Sequence, residues 1–352
     1  MKNKWYKVFI ILVLALSIFI VSADTVRAEN GDMEQKVYTY GDFQYQYMND
    51  TDYVAIVGYT GKDEVVTYPG EIVGKKVYSI CCYSTYSSEE VLMVKEVVIP
   101  YGVKEIFRMG SFKNLEKVQL PESLEVIGAY AFEDCKKLEF IHVPEGLKKI
   151  GIAAFYQCES LKEVVIPKGV SVIEELAFAG CTGLRKITFS PGLKKIGVEA
   201  FTGCTSLKEI VIPDTVVKID DGAFWGCEKL TKVKLSKNLT TIHEDSFTEC
   251  NIKSIEIPKK VKKIEEGAFM ENSFTSITIP SKVTYIGKHA FRNCKKLKKV
   301  TIKGTKLKQI KKWAFTNINK KATFDVPNKH ITKYKQMLIK AESFKEGKMK
   351  IK

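Results

Sequence analysis

Histidine and cysteine are the side chains best suited to catalysis or metal binding, and this 352-residue chain has four His and nine Cys. His142, His243 and His289 stand at positions of a repeated motif where other copies carry ordinary residues, and His330 lies near the end of the chain. The sequence has no CxxC pair and no Cys/His cluster of the kind that holds zinc. A nucleophile elbow and a phosphate-binding loop are also missing. We therefore expect a protein that is not an enzyme and has no metal site and no cofactor.

Six cysteines form a regular series with a spacing of 23 residues: Cys135, Cys158, Cys181, Cys204, Cys227 and Cys250. A thiol at a fixed repeat position behaves first as a small buried hydrophobe. Disulfide bridges are the alternative in an exported chain, because stacked copies would bring these positions near bridging distance. Other copies carry Asn272 or Ile318 here, which a required bridge would not allow, so buried thiols are favoured. This pattern does not explain the adjacent pair Cys81 and Cys82.

A phenylalanine column defines the repeat, and it comprises Phe112, Phe132, Phe155, Phe178, Phe201, Phe224, Phe247, Phe269, Phe291 and Phe315. The steps are 23 residues from Phe132 to Phe247, then 22, 22 and 24. The first step is only 20 residues, because that copy lacks a Cys-x-x segment. Ten copies therefore run from about residue 93 to 322. Self-similarity at such a period predicts a solenoid, which grows in one dimension and needs no division into globular domains.

Each copy reads as two short strands and a corner. In LKEIVIP, residues 207–213, aliphatic residues alternate, which predicts a strand with one buried face that ends at Pro213. The following VVKID, like LKKIG and VTYIG elsewhere, predicts a second, shorter strand. The segments GxxAF and xxCxxL predict a helical turn that places Phe in the interior. One such unit cannot bury its apolar face alone, whereas stacked units share a continuous core.

The pattern Leu-x-x-Ile-x-Ile-Pro, followed by Ile-Gly-x-x-Ala-Phe-x-x-Cys, resembles the BspA-type leucine-rich repeat over residues 93–322. Residues 43–80, with GYTG and GKKVYSI, resemble the N-terminal module of such proteins, and residues 324–341 resemble their closing segment. The resemblance implies a leucine-rich-repeat β-solenoid with short helical turns: an N-terminal cap at 29–92, repeats at 93–322, and a C-terminal cap with a Lys-rich tail at 323–352. It also implies a secreted or surface protein associated with adhesion and host contact.

The first 28 residues have the composition of a secretory signal peptide. MKNKWYK is basic, residues 8–23 are uncharged and mostly apolar, and small-residue cleavage sites end at Ala23 and Ala28. The apolar run is shorter than the ~20 residues that span a bilayer, so we expect cleavage after residue 23 or 28 instead of a retained anchor. No transmembrane segment is then expected in the mature chain. A Leu-Pro-x-Thr-Gly sorting motif and a lipobox cysteine are missing too.

Outward positions of the longer strand form the candidate ligand-binding surface, since a solenoid presents them as one extended ladder. The candidates are Lys117, Gln119, Phe140, His142, Glu163, Lys186, Glu209, Lys232, Lys234, Glu256 and Lys299. The other outward positions of the same strands hold Val165, Thr188, Val211, Ser254, Ser276, Thr278 and Thr301. Phe140 is the one aromatic residue of the set, so its copy is the first hot-spot candidate. For any single residue, plain solvent exposure is the alternative.

Positive charge is concentrated at the C-terminal end. Residues 295–352 contain 19 Lys and 3 acidic residues, a net charge of +16; because the whole chain carries +15, residues 1–294 sum to −1. The candidate polyanion-binding residues are Lys295, Lys296, Lys298, Lys299, Lys311 and Lys312. Arginine is nearly absent there, which argues against sequence-specific nucleic-acid binding. A solvated tail is the alternative.

A second lysine series, at 148–149, 194–195 and 262–263, is expected to face solvent on another side.

Two functions fit these observations. The first is a secreted or cell-surface binding and adhesion module that recognises a protein or glycan, including host-derived ones, through the solenoid face. The second is an envelope-associated structural protein, held non-covalently on anionic wall polymers by its basic C-terminal region.

Overall fold

Short strands make up most of the regular structure, as the alternating apolar pattern predicted. The computed structural model describes residues 36–82, 93–109 and 112–352, and the predicted signal peptide lies outside these residues. In chain order the strands are β1 (Tyr38–Tyr40), β2 (Phe43–Tyr47), β3 (Tyr53–Tyr59), β4 (Val65–Thr67), β5 (Glu71–Ile72), β6 (Lys75–Cys81), β7 (Glu96–Val98), β8 (Glu105–Phe107), β9 (Lys117–Gln119), β10 (Val126–Ile127), β11 (Lys149–Ile150), β12 (Glu163–Ile166), β13 (Val172–Ile173), β14 (Lys186–Phe189), β15 (Lys195–Ile196), β16 (Glu209–Val211), β17 (Lys218–Ile219), β18 (Lys232–Lys234), β19 (Thr241–Ile242), β20 (Lys263–Ile264), β21 (Ser276–Ile279), β22 (Tyr285–Ile286), β23 (Lys299–Ile302), β24 (Gln309–Ile310), β25 (Thr323–Asp325) and β26 (Lys350–Ile351). A 3₁₀ turn at Asn328–His330 leads into the helix α1 (Ile331–Lys340).

The strands stack into two parallel ladders, one on each of two sides of the solenoid. The long-strand ladder is made of four sheets in succession, β4-β7-β9, β12-β14, β16-β18 and β21-β23-β25-β26, and the short-strand ladder is made of two, β3-β6-β8-β10-β11-β13-β15-β17 and β19-β20-β22-β24. Equivalent residues of successive rungs pair with each other, as Glu163 does with Lys186 and Ile166 with Phe189. Side chains therefore alternate between the core and solvent along each strand.

Tight turns form the third side of each rung. The segment predicted as a helical turn is a series of i→i+3 turns, in which Tyr156 N–H donates to Ala153 O at 3.1 Å and Cys158 N–H to Phe155 O at 3.2 Å. Phe155 N–H also donates to Ala177 O of the next rung at 2.8 Å. The third side is therefore joined from rung to rung by backbone hydrogen bonds, as the two strand ladders are.

The predicted phenylalanine column lies in the centre of the core. From Phe132 to Phe315, neighbouring rings of the column have centroids 5.0 to 5.8 Å apart and planes within 21° of parallel. All of these side chains are fully buried. Offset or parallel aromatic pairs contribute ~0.5–1.5 kcal/mol beyond the area they bury, so the column links each rung to the next.

The cysteine series forms a second buried column, and its thiols are free. From Cys158 to Cys250, each thiol hydrogen-bonds to the carbonyl of the Phe in the preceding rung: Cys158 Sγ lies 3.1 Å from Phe132 O, and Cys204 Sγ lies 3.2 Å from Phe178 O. Cys135 Sγ faces Met109 O instead. Asn272 makes the same contact in its rung, with Nδ2 2.7 Å from Phe247 O. A small buried donor suits this position, which explains why Cys and Asn both occur there, although the buried Ile318 fills it in the last repeat without one.

Both ends of the stack depart from the repeat. At the N-terminal end β1, β2 and β3 pair antiparallel, but β3 already pairs parallel with β6, so the parallel stack extends into the predicted N-terminal cap. At the other end α1 buries Tyr334 and Leu338, and Tyr334 Oη donates to Gly304 O at 2.6 Å. Strand β26 adds a last rung to the long-strand ladder by pairing with β25. The predicted fold class, a β-solenoid of repeats of about 23 residues that is capped at both ends, is confirmed.

Replacing Phe201 by Ala tests the phenylalanine column. Phe201 is fully buried between Phe178 and Phe224, at centroid distances of 5.3 and 5.2 Å. We expect Phe201→Ala to lower the free energy of unfolding by ~3–5 kcal/mol, measured by urea denaturation. Phe140→Ala is the matched control, because this side chain is 61% exposed and should cost about 1 kcal/mol or less. Equal losses in the two variants would contradict a stacked core.

Thiol labelling tests the cysteine column. Burial raises the pKa of Cys294 to about 12, and it raises the pKa of Cys181 and Cys204 further above the ordinary range. Since the thiolate is the reactive form, we expect the column to resist iodoacetamide at pH 8 in the folded protein. In denaturant without reductant, all of these cysteines should react, as peptide mass spectrometry would show. A column that stays unlabelled in denaturant until it is reduced would instead reveal disulfide bridges.

Candidate binding surfaces

All eleven candidate ligand-binding residues lie on the long-strand side, and all eleven are exposed. They form two parallel columns, because each strand directs two residues outward on either side of a buried one. Most rungs contribute through true strands, whereas Phe140 and Ser254 join the ladder through single bridges to Glu163 and Lys232. The stacking thus places on one side of the solenoid residues up to 182 positions apart in sequence, from Lys117 to Lys299.

The first column carries alternating charge in its central part. Glu163 pairs with Lys186 across the ladder, and Glu209 pairs with Lys232, whose Nζ lies 3.7 Å from Glu209 Oε2. Opposite charges placed across a ladder attract, although exposed pairs contribute little stability. This column therefore presents alternating charge and not a field of one sign.

An apolar strip lies on this side, and it consists of Phe140, Val165, Thr188 and Val211. Val165, Thr188 and Val211 occupy the second column in consecutive rungs, whereas Phe140 stands in the first column, where it bridges to Glu163. Phe140, Val165 and Val211 are 61%, 55% and 58% exposed. The ammonium of Lys162 lies 4.9 Å from the centroid of the Phe140 ring and covers one of its faces. A cation–π contact of this kind holds the ring in place while leaving its other face open.

Several other candidates on this side are engaged by acidic neighbours. Gln119 Nε2 donates to Glu96 Oε1 at 2.8 Å, and Lys117 Nζ lies 3.9 Å from Glu96 Oε2. His142 Nε2 lies 3.4 Å from Glu122 Oε1, and both side chains are well exposed. These pairs flank the apolar strip on its N-terminal side.

The six candidate polyanion-binding lysines are all exposed, but they surround the last rungs and do not form one patch. Lys298 and Lys299 lie on the long-strand side, Lys311 and Lys312 follow β24, and Lys295 and Lys296 precede β23 on the connecting turn. Two of the six are paired: Lys299 Nζ lies 3.6 Å from Asp325 Oδ2, and Lys312 Nζ lies 2.9 Å from Glu342 Oε1.

An open cavity of about 550 Å³ lies at this end of the solenoid, and we call it the end cavity. Four lysines line it: Lys295, Lys320, Lys321 and Lys345, together with Thr316, Asn317, Asn319 and Ser343 among others. Only Lys295 of these lysines was predicted from the sequence. Lys320 and Lys321 stand on the turn before β25, and Lys345 lies in the segment that folds back after α1. No repeat pattern places these two segments around one cavity.

The second lysine series faces solvent on the short-strand side, where it is partly neutralised. Lys148 Nζ lies 2.5 Å from Glu125 Oε2. Lys195 and Lys218 both bind the carboxylate of Asp220, at 2.9 and 2.5 Å. Partial burial acts to raise the pKa of Asp220, but the hydrogen bonds from the two lysines outweigh it and the pKa is lowered.

A carboxylate–imidazole–carboxylate cluster lies where the short strands end. His243 Nδ1 is 3.2 Å from Glu265 Oε2 and 3.7 Å from Asp221 Oδ1, and potential ligand atoms of the three lie within 4.8 Å of one another. No metal site was expected from the sequence, because it has no CxxC pair and no Cys/His cluster. Asp221 precedes His243 by 22 positions, one fewer than the 23-residue step of that rung, and Glu265 follows His243 by one 22-residue step. Metal-ligating residues recurring at about one rung are the signal that could have revealed them.

Comparisons with known proteins agree with the fold. A model of the BspA type leucine rich repeat region, in six copies, matches residues 104–231, 148–272 and 218–347. No curated protein matches the chain. In the part of the chain that the structure describes, no helix has the length and apolar character needed to span a membrane.

Solved structures similar to this chain include other bacterial leucine-rich repeat proteins. One, from Bacteroides ovatus ATCC 8483, is 23% identical over 90% of this chain and 99% of that chain, with a TM-score of 0.56. A leucine rich cell surface protein from Faecalibacterium prausnitzii A2-165 is 21% identical over 81% and 94%, with a TM-score of 0.45. A leucine rich repeat protein from T. pallidum is 27% identical over 61% and 89%, with a TM-score of 0.45. Because the family model matches well over half of the chain, this protein belongs to the BspA type leucine rich repeat family.

Proposed function

We propose that this chain is a secreted, non-catalytic binding module that recognises a protein or glycan through its long-strand side. The observation that carries the proposal is the apolar strip: three exposed apolar side chains on the long-strand side, with Phe140 in the first column and Val165 and Val211 in the second, next to the alternating charges. Single exposed apolar residues are ordinary, whereas an apolar area edged by polar groups is characteristic of interaction sites. Family membership supports the same function, because repeat solenoids use such surfaces for binding.

Rigidity favours this surface as a recognition site. Val165 and Thr188 stand on β12 and β14, which pair with each other through four residue pairs, and Phe140 is joined to β12 by its bridge to Glu163. The Phe140 ring is further held by Lys162, which is itself ion-paired with Glu139. A surface ordered before the ligand arrives loses little conformational freedom on binding, so more of the contact energy appears as affinity.

Replacing Phe140 by Ala tests this function. The mature chain would be probed against an array of glycans and matrix proteins at ~50 and ~300 mM salt, since salt screens charge-driven binding. We expect a few ligands to persist at high salt, and Phe140→Ala to weaken them at least tenfold, a hot-spot loss of ~1.4 kcal/mol or more.

Tyr101→Ala is the matched control for this experiment. Tyr101 is an aromatic residue that is 82% exposed and lies on a turn, outside the long-strand columns. This variant should bind as the wild-type chain does. Equal weakening in both variants, or an absence of any ligand that resists salt, would refute recognition through the apolar strip.

The second proposed function is retention on anionic polymers of the cell envelope, and the end cavity favours it. Four lysines surround this cavity, and the C-terminal region carries a large positive charge. Truncation after residue 322 would be a poor test, because it removes β25, α1 and β26 and uncovers the last rung. Substitutions that keep the cap intact are needed.

A fourfold variant, with Lys295, Lys320, Lys321 and Lys345 changed to Gln, provides this test. If the end cavity retains the protein, wild-type chain should stay with washed cells at low salt and leave at high salt, while the variant should appear in the medium at low salt. The control changes Lys148, Lys194, Lys262 and Lys263 to Gln, which removes the same charge from the short-strand side. Identical release of both variants would show that only net charge matters, and unchanged retention of the fourfold variant would exclude the end cavity.

A further inference from the structure

The corner after the short strands departs from the repeat at three consecutive rungs. Between residues 128 and 311, four rungs have glycine here: Gly128, Gly151, Gly197 and Gly287. The three rungs between the last two carry Asp220, His243 and Glu265, and the remaining two carry Glu174 and Lys311. Space is tight at this position, since a Cβ on Gly151 would lie 2.6 Å from Ala129 N. Larger polar residues in consecutive rungs therefore require local adjustment, and such departures are expected where a protein has a function.

The three residues that replace glycine make two different kinds of contact. Asp220 turns to the short-strand side and is neutralised by Lys195 and Lys218. His243 instead lies close to both Glu265 and Asp221, the residue that directly follows Asp220 in the chain. Their side chains are 24%, 31% and 59% exposed, so the cluster is partly shielded and open to solvent on the Asp221 side.

We propose that Asp221, His243 and Glu265 form a binding site for a divalent transition-metal ion of the Zn²⁺ class. An imidazole nitrogen with two carboxylate oxygens suits such ions, and three protein ligands leave a position for solvent or an exogenous ligand. With bonds of about 2.1 Å, ligand atoms of a tetrahedral site lie ~3.4 Å apart. The two measured separations from His243 Nδ1, 3.2 and 3.7 Å, lie on either side of that value.

The hydrogen-bonding chemistry of the cluster also favours a cation. Both carboxylates approach the same ring atom, Nδ1, which carries at most one proton. A metal ion at this point would be shared by all three ligands. Ion pairing of a protonated imidazole with the two carboxylates is the competing arrangement, and metal titration separates the two.

Further acidic residues make the surroundings of the cluster negative. Glu244 and Asp245 directly follow His243 in the chain, and Glu266 directly follows Glu265. Lys218 adds positive charge nearby, but its ammonium is bound to Asp220. A region in which carboxylates repel one another attracts a divalent cation.

Calorimetric titration of the full chain with ZnCl₂ tests this site. We expect one saturable equivalent in the wild-type chain and at least a tenfold weaker affinity in His243→Ala and Glu265→Gln. His142→Ala is the matched control, because His142 faces a single carboxylate, Glu122, and this variant should bind as the wild-type chain does. The buried cysteines should not compete, since burial raises their thiol pKa values.

Substitution with Co²⁺ gives a readout specific to coordination. The wild-type chain and His142→Ala should develop visible d–d absorption typical of low coordination number without a thiolate charge-transfer band, and His243→Ala should not. Circular dichroism in EDTA would verify that each variant is folded. The proposal is overturned if the wild-type chain shows no saturable Zn²⁺ binding, if His243→Ala and Glu265→Gln retain wild-type affinity, or if a thiolate band shows that cysteines hold the metal.

Discussion

Each rung completes its core only against the rungs above and below it, and this requirement sets the register of the whole stack. Equivalent residues must lie over one another, as Val164 lies beside Ile187 and Phe178 beside Phe201. Backbone hydrogen bonds join successive rungs on all three sides, so a shift by one residue would break three ladders at once. The inner positions therefore repeat closely, and the outer positions are free to vary.

The carbonyl oxygen of the column phenylalanine shows how strictly equivalent residues must be aligned, because it accepts hydrogen bonds from two rungs. Phe178 O accepts a hydrogen bond from Cys181 N–H of its own rung at 3.3 Å and from the Cys204 thiol of the next rung at 3.2 Å. The repeated cysteine is thus a buried hydrogen-bond donor between rungs. Spacing alone left a disulfide and a packed thiol as alternatives, because a 23-residue step is compatible with both. The hydrogen bond decides for the thiol, and Asn272 shows that sulfur is not required.

Periodicity was sufficient to predict the strands, the phenylalanine core and the outward columns, because each depends on one repeat and its neighbours. It was insufficient for the end cavity, since Lys345 lines the same cavity as Lys295 only because the chain turns back after α1, on its way to β26. It also missed the cluster of Asp221, His243 and Glu265. Asp221 stands one position beyond Asp220, the residue equivalent to His243, so the 23-residue repeat does not align Asp221 with His243, and only the corner geometry brings their side chains together. The turns of the third side follow local rules that the apolar pattern does not contain.

The regular stack also keeps the apolar strip, the carboxylate–imidazole cluster and the end-cavity lysines in separate regions of the solenoid. The apolar strip lies on the long-strand side of the rungs from Phe140 to Val211, whereas the carboxylate–imidazole cluster lies at the end of the short strands, in the rungs from Asp221 to Glu265. The lysines of the end cavity belong to the last rungs and the C-terminal cap. Since a rung contacts only its neighbours, a change in one of these regions leaves the backbone of the others in place. Residues that interrupt the repeat are therefore the most informative ones in this chain, because the frame itself gives no structural reason for them.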